Sequence, residues 1–277
     1  MPWYLPDRAP VFWEEARRRL RGRRGLTLLI AYVLLLIVGL LVFNYLMQDS
    51  VHNGQQQWPE VGRRWWQIFI IGQGILLTFI SPALTASTIS AERERHTLEQ
   101  LFLTRLTTME LTWGKYLGAI VQLLVMLLAG LPIAYFILLQ GGVSLIEVVV
   151  GYLLLMATAL YYAALGYFAS CFCKRVGAAI AWAYGLVVFV NIGVPILNYF
   201  PFYFFNMEDS IVLFMIALDP TYLFLCMFNS SDSAIAPLLW KVVSLLVATG
   251  VLLQISGGLI WNLREKMTAR PMRPLPK

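Results

Sequence analysis

The sequence predicts an all-α membrane protein with six transmembrane helices. Of its 277 residues, 59% are hydrophobic and only 13% are charged, whereas soluble domains are about half apolar and about a quarter charged. The apolar residues occur in long blocks, and a hydrocarbon core about 30 Å thick needs about 20 helical residues to cross it. The alternating segments of a transmembrane β-barrel are absent from the sequence, so helices must satisfy the backbone hydrogen bonds in lipid.

Six blocks have the length of a transmembrane helix. They are Leu26–Met47, Trp66–Ile89, Leu111–Leu139, Ile146–Cys171, Ala178–Phe200 and Ile235–Trp261. The predicted transmembrane domain therefore covers residues 26–261. A basic segment, 1–25, precedes it, and a basic tail, 262–277, follows it.

The distribution of Lys and Arg predicts the orientation. All but three of the 21 basic residues fall on one side of the predicted bundle, the exceptions being Arg63, Arg64 and Lys241. Lys115 is counted here in the connection between the second and third spans. The positive-inside rule then places both termini in the cytoplasm of a multi-pass protein of the plasma (inner) membrane. The net charge of +6 is assigned to loops at an anionic lipid surface and not to nucleic-acid binding.

A short helix is predicted ahead of the first span. Pro10 opens it, and Val11–Leu20 follows with an apolar face and arginines opposite. This pattern is typical of a helix lying in the cytoplasmic membrane interface. The alternative is an unstructured basic flank that only sets the topology. The apolar face would consist of Phe12, Trp13, Ala16 and Leu20.

Prolines and small residues predict local features of the spans. Pro82 should kink the second span and Pro132 the third, because proline removes a backbone hydrogen bond. Gly177, Ala181 and Gly185 follow one another at four-residue spacing in the fifth span. Small residues at that spacing let two helix backbones approach closely. The partner could be another helix of this chain or a second subunit.

The segment 200–233 precedes the last span and contains no Lys or Arg, although it is rich in aromatic and aliphatic residues. Its apolar stretches are too short to cross the membrane. We expect short interfacial or re-entrant helices on the outer side, and an extra helical hairpin is the rival interpretation.

The connection 90–106 holds the densest run of mixed charge in the chain. Thr97 with Gln100 forms a capping-box pattern, which predicts a new helix from Leu98. Leu98, Leu101 and Phe102 would then share one face. Thr107 with Glu110 forms a second capping box that opens the third span. A partner that docks on a separately capped helix between two spans would push directly on both spans. The alternative interpretation of the segment is a solvated loop.

This segment resembles the permease subunits of ABC-2 type transporters. The matching residues run Ile89-Ser90-Ala91-Glu92-Arg93-Glu94-x-x-Thr97-Leu98-Glu99-x-Leu101, with Gly114-Lys115 at the head of the next span. Pro10-x-x-x-Glu14-Glu15 and the six-span plan extend the resemblance over nearly the whole chain. His96 stands where the family often has Gly, and Arg105 where it often has Pro.

The resemblance implies that the short helix is a coupling helix seated in a groove of a cytoplasmic ABC ATPase. The residues implied to make this contact are Glu92, Arg93, Glu94, Thr97, Leu98, Glu99, Leu101 and Phe102. The resemblance also implies an ATP-driven exporter with ATP and Mg²⁺ on the ATPase. The second half of the transporter would be a second copy or a homologous permease. The residues alone identify neither the substrate nor the direction of transport.

Other function classes are less consistent with the sequence. The Gly-x-x-x-x-Gly-Lys-[Ser/Thr] phosphate-binding motif does not occur, and we predict no catalytic, cofactor-binding or metal site. Three cysteines are too few for a disulfide framework. Ionisable residues are rare inside the spans, which disfavours an ion-coupled secondary transporter. A secondary carrier and a membrane-embedded enzyme or scaffold stay open as alternatives.

Overall fold

The computed structural model describes residues 10–52, 58–98, 107–196 and 235–268. These residues are helical apart from short turns, and they contain no strand. Six helices within them are long and apolar enough to cross a membrane. The predicted all-helical, six-span fold is therefore confirmed.

Nine α-helices occur in the described ranges. They are α1 Pro10–Arg21, α2 Arg23–His52, α3 Trp58–Ala86, α4 Ser90–Glu94, α5 Thr108–Ala129, α6 Leu131–Gln140, α7 Leu145–Phe172, α8 Val176–Val188 and α9 Ile235–Thr268. The spans are α2, α3 with α4, α5 with α6, α7, α8 with its continuation, and α9. The sixth helix continues past the predicted end at Trp261 to Thr268.

The fourth span is the centre of the bundle. In its membrane window 72% of the residues are buried, compared with 11% in the window of the first span. Helices α3, α8 and α9 pack against α7, which is why α7 buries residues around its whole circumference. The first span lies at the periphery and exposes Leu34, Leu35 and Leu41, as a helix facing lipid or a second subunit would.

The second and fourth spans cross closely at Pro82. A Cβ atom on Gly166 would lie only 2.6 Å from the carbonyl oxygen of Pro82, so only glycine fits at this crossing. Helix α3 continues through Pro82 to Ala86. The hydroxyl of Thr85 donates to the carbonyl of Ser81 at 3.1 Å. Small residues at a crossing allow such backbone approach in membranes.

The third span is interrupted near its predicted proline. Helix α5 ends at Ala129, Gly130 caps it, and α6 begins at Leu131 with Pro132 in its first turn. Proline is tolerated there because the first N–H groups of a helix lack intrahelical partners. The sequence predicted a kink at Pro132, and the structure places the interruption two residues earlier.

The fifth span contains a π-helical segment, Phe189–Gly193, that the sequence did not predict. The hydroxyl of Tyr162 donates to Asn191 Oδ1 at 2.7 Å, and Asn191 Nδ2 donates to the carbonyl of Val187 at 2.7 Å. These bonds tie the widened turn to the fourth span. The predicted outer helices in 200–233 lie outside the described residues.

Candidate functional site at the basic end of the bundle

Helix α4 carries the first part of the charged motif and begins after a turn at residues 87–89. Its N-terminus is anchored by Ser170 of the fourth span. The hydroxyl of Ser170 accepts hydrogen bonds from the backbone N–H groups of Ile89, at 2.8 Å, and Ser90, at 3.0 Å. These N–H groups belong to a helix start, where intrahelical partners are lacking. The anchor fixes α4 against the end of α7, which we call the basic end of the bundle.

Arg93 binds the C-terminus of the fourth span. Its guanidinium donates from Nη2 to the carbonyl of Cys171 at 2.9 Å and from Nη1 to the carbonyl of Cys173 at 3.1 Å. The last carbonyls of a helix lack intrahelical partners, and a cation is favourable beside them. Arg93 therefore closes the end of α7.

Glu94 binds the start of the fifth span in the complementary way. Its Oε2 accepts a hydrogen bond from the backbone N–H of Val176 at 3.0 Å. A carboxylate is favourable at a helix N-terminus. Two successive residues of α4 thus hold both ends of the turn that joins the fourth and fifth spans.

Glu92 forms an ion pair with Lys115 of the third span. Lys115 lies inside α5 and is 3% exposed. Its count among the residues of the connection between the second and third spans was therefore wrong, because it is a buried cation on a membrane helix. The side chain of Glu92 is 26% exposed. A buried ammonium needs such a partner, because desolvation of an unpaired charge costs several kcal/mol.

Helix α4 ends in a Schellman motif at His96. The backbone N–H of Thr97 donates to the carbonyl of Glu92 at 3.0 Å, and that of His96 donates to the carbonyl of Arg93 at 3.3 Å. His96 has φ +57°, the left-handed conformation that glycine adopts most readily. This conformation explains why glycine suits the position that His96 occupies.

Of the two predicted capping boxes, the first cannot be compared with the structure, because its Gln100 lies outside the described residues. The hydroxyl of Thr97 donates to the carbonyl of Glu92 at 3.3 Å, and Leu98, which follows it, is helical and 1% exposed. The rest of the predicted coupling helix, with Glu99, Leu101 and Phe102, lies outside the described residues. The second box is confirmed: Glu110 N donates to Thr107 Oγ1 at 3.2 Å, and Thr107 N donates to the Glu110 carboxylate at 2.9 Å.

The N-terminal helix α1 is also attached to this end of the bundle. Arg19 donates to Glu15 at 2.7 Å, to the carbonyl of Leu84 at 3.1 Å and to the hydroxyl of Thr88 at 3.2 Å. A Cβ atom on Gly118 would lie 2.6 Å from Glu15 Cγ, so α1 packs tightly on the third span. The bundle-facing side of α1 therefore includes Glu15 and Arg19, whereas Trp13 is exposed.

Two other predicted features concern small residues and cysteines. Gly177, Ala181 and Gly185 are exposed, and a Cβ atom on either glycine would meet nothing within 4 Å. The described part of the chain therefore leaves this stripe uncovered.

Cys171 and Cys173 are free thiols, and burial raises the pKa of the Cys173 thiol. The described residues contain no cluster of three potential metal ligands.

Several contributors to this site were not predicted. Lys115 could have been suspected, because an ionisable residue within an apolar stretch signals a buried partner. Arg19 and Ser170 carry no local signal, since their partners lie about 65 and 80 residues away in the sequence.

A comparison with protein-family models identifies the family of the chain. The family model described as ABC-2 family transporter protein matches residues 9–259. The chain belongs to the ABC-2 family. As an ABC-2 protein it is the membrane-embedded permease subunit of an ABC transporter and is not itself the catalytic component. No curated protein matches the chain. The match extends from α1 almost to the end of the sixth span and includes the whole basic end.

Proposed function

We propose that this ABC-2 permease is one half of an ATP-driven exporter and that a separate ABC ATPase drives it through the segment 90–106. The observation that carries the proposal is the attachment of α4 to three spans beyond its own. Glu92 binds the third span, and Arg93 and Glu94 bind the ends of the fourth and fifth. A segment attached in this way transmits a displacement to the bundle instead of absorbing it.

The proposed cycle begins when ATP binds and two ATPase subunits close around it. Each ATPase pulls the helix that starts at Leu98. The Glu92–Lys115 pair would pass this movement to the third span, and the α4 contacts would pass it to the fourth and fifth. Access to the transport route would then switch toward the outside. ATP and Mg²⁺ would be bound by the ATPase, and the second half of the transporter would be a second copy of the chain or a homologous permease.

The proposed orientation places both termini and the basic end in the cytoplasm of the plasma (inner) membrane. It rests on the positive-inside rule, to which the exposed Arg95, Lys174 and Arg175 contribute. If Lys115 is not counted among the loop residues, the excess of Lys and Arg still lies on the same side of the bundle. The spans consist mainly of apolar and hydroxyl side chains, which suits a lipid, an amphiphile or a peptide as substrate.

The test is a tagged purification in mild detergent with mass spectrometry of bound proteins. The wild-type chain is compared with a Glu99→Arg, Leu101→Asp double variant, which alters the predicted coupling helix. An Arg63→Gln, Arg64→Gln variant serves as control, because both residues are exposed at the opposite end of the bundle. We expect an ABC ATPase with the wild type and the control and its loss with the coupling variant.

Absence of an ATPase from a folded, oligomeric wild-type preparation would refute the proposal. Transport in vesicles that needs no ATP and stops with an ionophore would instead identify an ion-coupled carrier. An activity that persists without any ATPase would identify an enzyme or scaffold.

A further inference from the structure

Three polar side chains from three different spans meet inside the bundle, and an apolar groove lies beside them. They are Tyr32, Gln73 and Tyr152, here called the polar cluster. We propose that the polar cluster and the groove together bind an uncharged amphiphile with one narrow chain, which enters from the bilayer between the first and second spans. This inference rests on the function proposed above, because it names the substrate class of the same transporter.

The polar cluster is buried, and its hydrogen-bonding groups are unpaired. Tyr32 is 1% exposed, Gln73 0% and Tyr152 9%. Both hydroxyls lie near the amide of Gln73, yet the described residues provide no hydrogen-bond partner for either hydroxyl or for the amide Oε1 and Nε2. An unpaired amide is costly at this depth in a membrane. The polar cluster therefore favours a ligand that supplies the missing hydrogen bonds.

Contacts with neighbouring spans hold the polar cluster in place. The amide of Gln73 lies against Gly130, since a Cβ atom on Gly130 would be 2.6 Å from Gln73 Nε2. Gly130 is the residue at which the third span is interrupted. Trp66 packs on Tyr152, with the ring centroids 6.5 Å apart. The first four spans thus all contribute to the position of these polar groups.

The charges of the surrounding sequence indicate the chemistry of the ligand. The stretches 25–48, 65–91, 116–146 and 148–173, which include the helices around the polar cluster, contain no Asp, Glu, Lys, Arg or His. A charged group would therefore be buried without a counter-charge, which is much more costly than burial of a neutral group. Glutamine and tyrosine side chains both donate and accept hydrogen bonds. An alcohol, an ester or an amide matches them.

The groove lies on the outer face of the bundle, between α2 and α3. It has a volume of about 250 Å³, and its lining consists only of leucine, isoleucine, phenylalanine and glycine. Leu35, Gly39 and Ile75 belong to this lining and are exposed, so the groove opens away from the bundle. Sites that enclose a drug-sized molecule measure about 300–1,000 Å³. The smaller volume of the groove suits one narrow acyl or alkyl chain.

Two glycines keep the groove open. A Cβ atom on Gly39 or on Gly72 would meet nothing within 4 Å, so the two helices do not fill the space between them at this level. Gly39 lies within the apolar window Gly25–Val42 of the first span. The medium around this window is the hydrocarbon of the bilayer, and the occupant that reaches the groove is therefore an apolar chain.

The groove and the polar cluster are two sides of one crevice. Leu36 and Phe69 line the groove and are 5% and 2% exposed. Tyr32 lies four residues from Leu36, and Gln73 lies four residues from Phe69, so each pair is one helical turn apart on one face. The first span has the smallest buried share of the six membrane windows, 11%. Its separation from the second span disturbs few contacts and would let a polar group pass Leu36 and Phe69.

The test is photolabelling of the full-length chain in nanodiscs made only of phosphatidylcholine. The probe is a monoacylglycerol whose acyl chain carries a diazirine, and the labelled peptides are identified by mass spectrometry. The competitors are unlabelled monoacylglycerol and hexadecane, which has an apolar chain but no polar group. ATP hydrolysis by the purified complex with its ATPase is then measured with and without monoacylglycerol.

Three variants address the two parts of the site. Tyr32→Phe removes one hydroxyl, and Gln73→Met replaces the amide with an apolar group of similar size. Gly39→Leu fills the groove. The matched controls are Tyr135→Phe and Gly258→Leu, because both residues are exposed outside the groove and a Cβ atom on Gly258 meets nothing within 4 Å.

We expect saturable labelling of peptides from α2 and α3, competition by monoacylglycerol but not by hexadecane, and faster ATP hydrolysis with monoacylglycerol. Tyr32→Phe and Gln73→Met should each raise the half-saturating probe concentration by about tenfold, because each removes a hydrogen bond to the ligand, with the controls within about twofold of wild type. Gly39→Leu should abolish saturable labelling. The Tm of the two polar variants should not fall, because each removes a group that is unpaired in the absence of ligand.

Several results would overturn the inference. Labelling that does not saturate would show that the probe only samples the lipid-facing surface. Equal competition by hexadecane would show that the groove accepts any apolar chain without help from the polar cluster. Labelling of monomeric but not of dimeric fractions would assign the groove to a second copy of the chain. Specific labelling without a change in ATP hydrolysis would refute the assignment of the amphiphile as substrate.

Failure of this inference and failure of the proposed function are distinguishable. If the wild type recovers an ABC ATPase but shows no saturable labelling, the inference fails and the proposed function stands. If the wild type shows saturable labelling but recovers no ATPase, the proposed function and the substrate assignment fail, and the binding site stands.

Discussion

The carboxylate of Glu92 pairs with the buried ammonium of Lys115. One residue lies at the end of the second span and the other in the first turns of the third. The pair therefore fixes the distance between the two helices from which the predicted coupling helix extends. Hydropathy places Glu92 in a connection and Lys115 near the start of the third span, and it does not show that the two residues meet.

Removal of one partner of this ion pair should destabilise the protein. Glu92→Gln leaves the Lys115 cation buried without a counter-charge, and we expect a loss of about 3 kcal/mol. Lys115→Met should cost less, because Glu92 retains some exposure to water. Thermal unfolding in detergent, read as the shift in Tm for each variant, measures both effects.

The Glu92→Gln, Lys115→Met double variant is the control for the first prediction. We expect it to recover most of the stability lost in Glu92→Gln, because no buried charge is then left unpaired. Additive losses in the double variant would show that the two residues act independently.

Arg93 and Arg95 form a matched pair for the second prediction. Arg93→Ala removes two charge-assisted hydrogen bonds to the carbonyls of Cys171 and Cys173, and we expect a loss of about 2 kcal/mol. Arg95→Ala alters an exposed side chain and should change the free energy of unfolding by less than about 0.5 kcal/mol. Chemical denaturation monitored by tryptophan fluorescence distinguishes the two; equal losses would contradict the assignment.

His96→Gly should stabilise the end of α4. The left-handed conformation at φ +57° strains a residue with a Cβ atom, and glycine relieves the strain. We expect a gain of about 0.5–1 kcal/mol after the greater flexibility of glycine in the unfolded chain is subtracted. His96→Val should have the opposite sign, because β-branched residues rarely adopt this conformation. A lower Tm for the glycine variant than for the wild type would refute the conformational argument.

Gly166→Ala should disrupt the crossing of the second and fourth spans. The added methyl group would meet the backbone of Pro82, which cannot move aside as a flexible side chain would. We expect a loss of about 1–3 kcal/mol. Gly250→Ala is the control, because a Cβ atom there meets nothing within 4 Å. Comparable Tm values for the two variants would show that the crossing accommodates a methyl group.

The helices were predictable because their signals are local. The apolar blocks gave all six spans, and Thr107 with Glu110 gave a capping box whose two bonds are both present. These features depend on residues three or four positions apart or on the average hydropathy of one segment. The capping box at Thr97 stays a prediction, because Gln100 lies outside the described residues; the hydroxyl of Thr97 donates to the carbonyl of Glu92, and Leu98 is helical.

The sequence by itself determined the number of spans, the short N-terminal helix and the position of the charged motif between the second and third spans. Only the tertiary structure decided that Arg93 closes the fourth span, that Glu94 opens the fifth and that Lys115 is buried beside Glu92. The physical reason is that hydropathy and capping act within one segment. The partner of a buried charge, by contrast, depends on which helices pack together, and Glu94 meets the backbone of Val176, 82 positions away in the sequence.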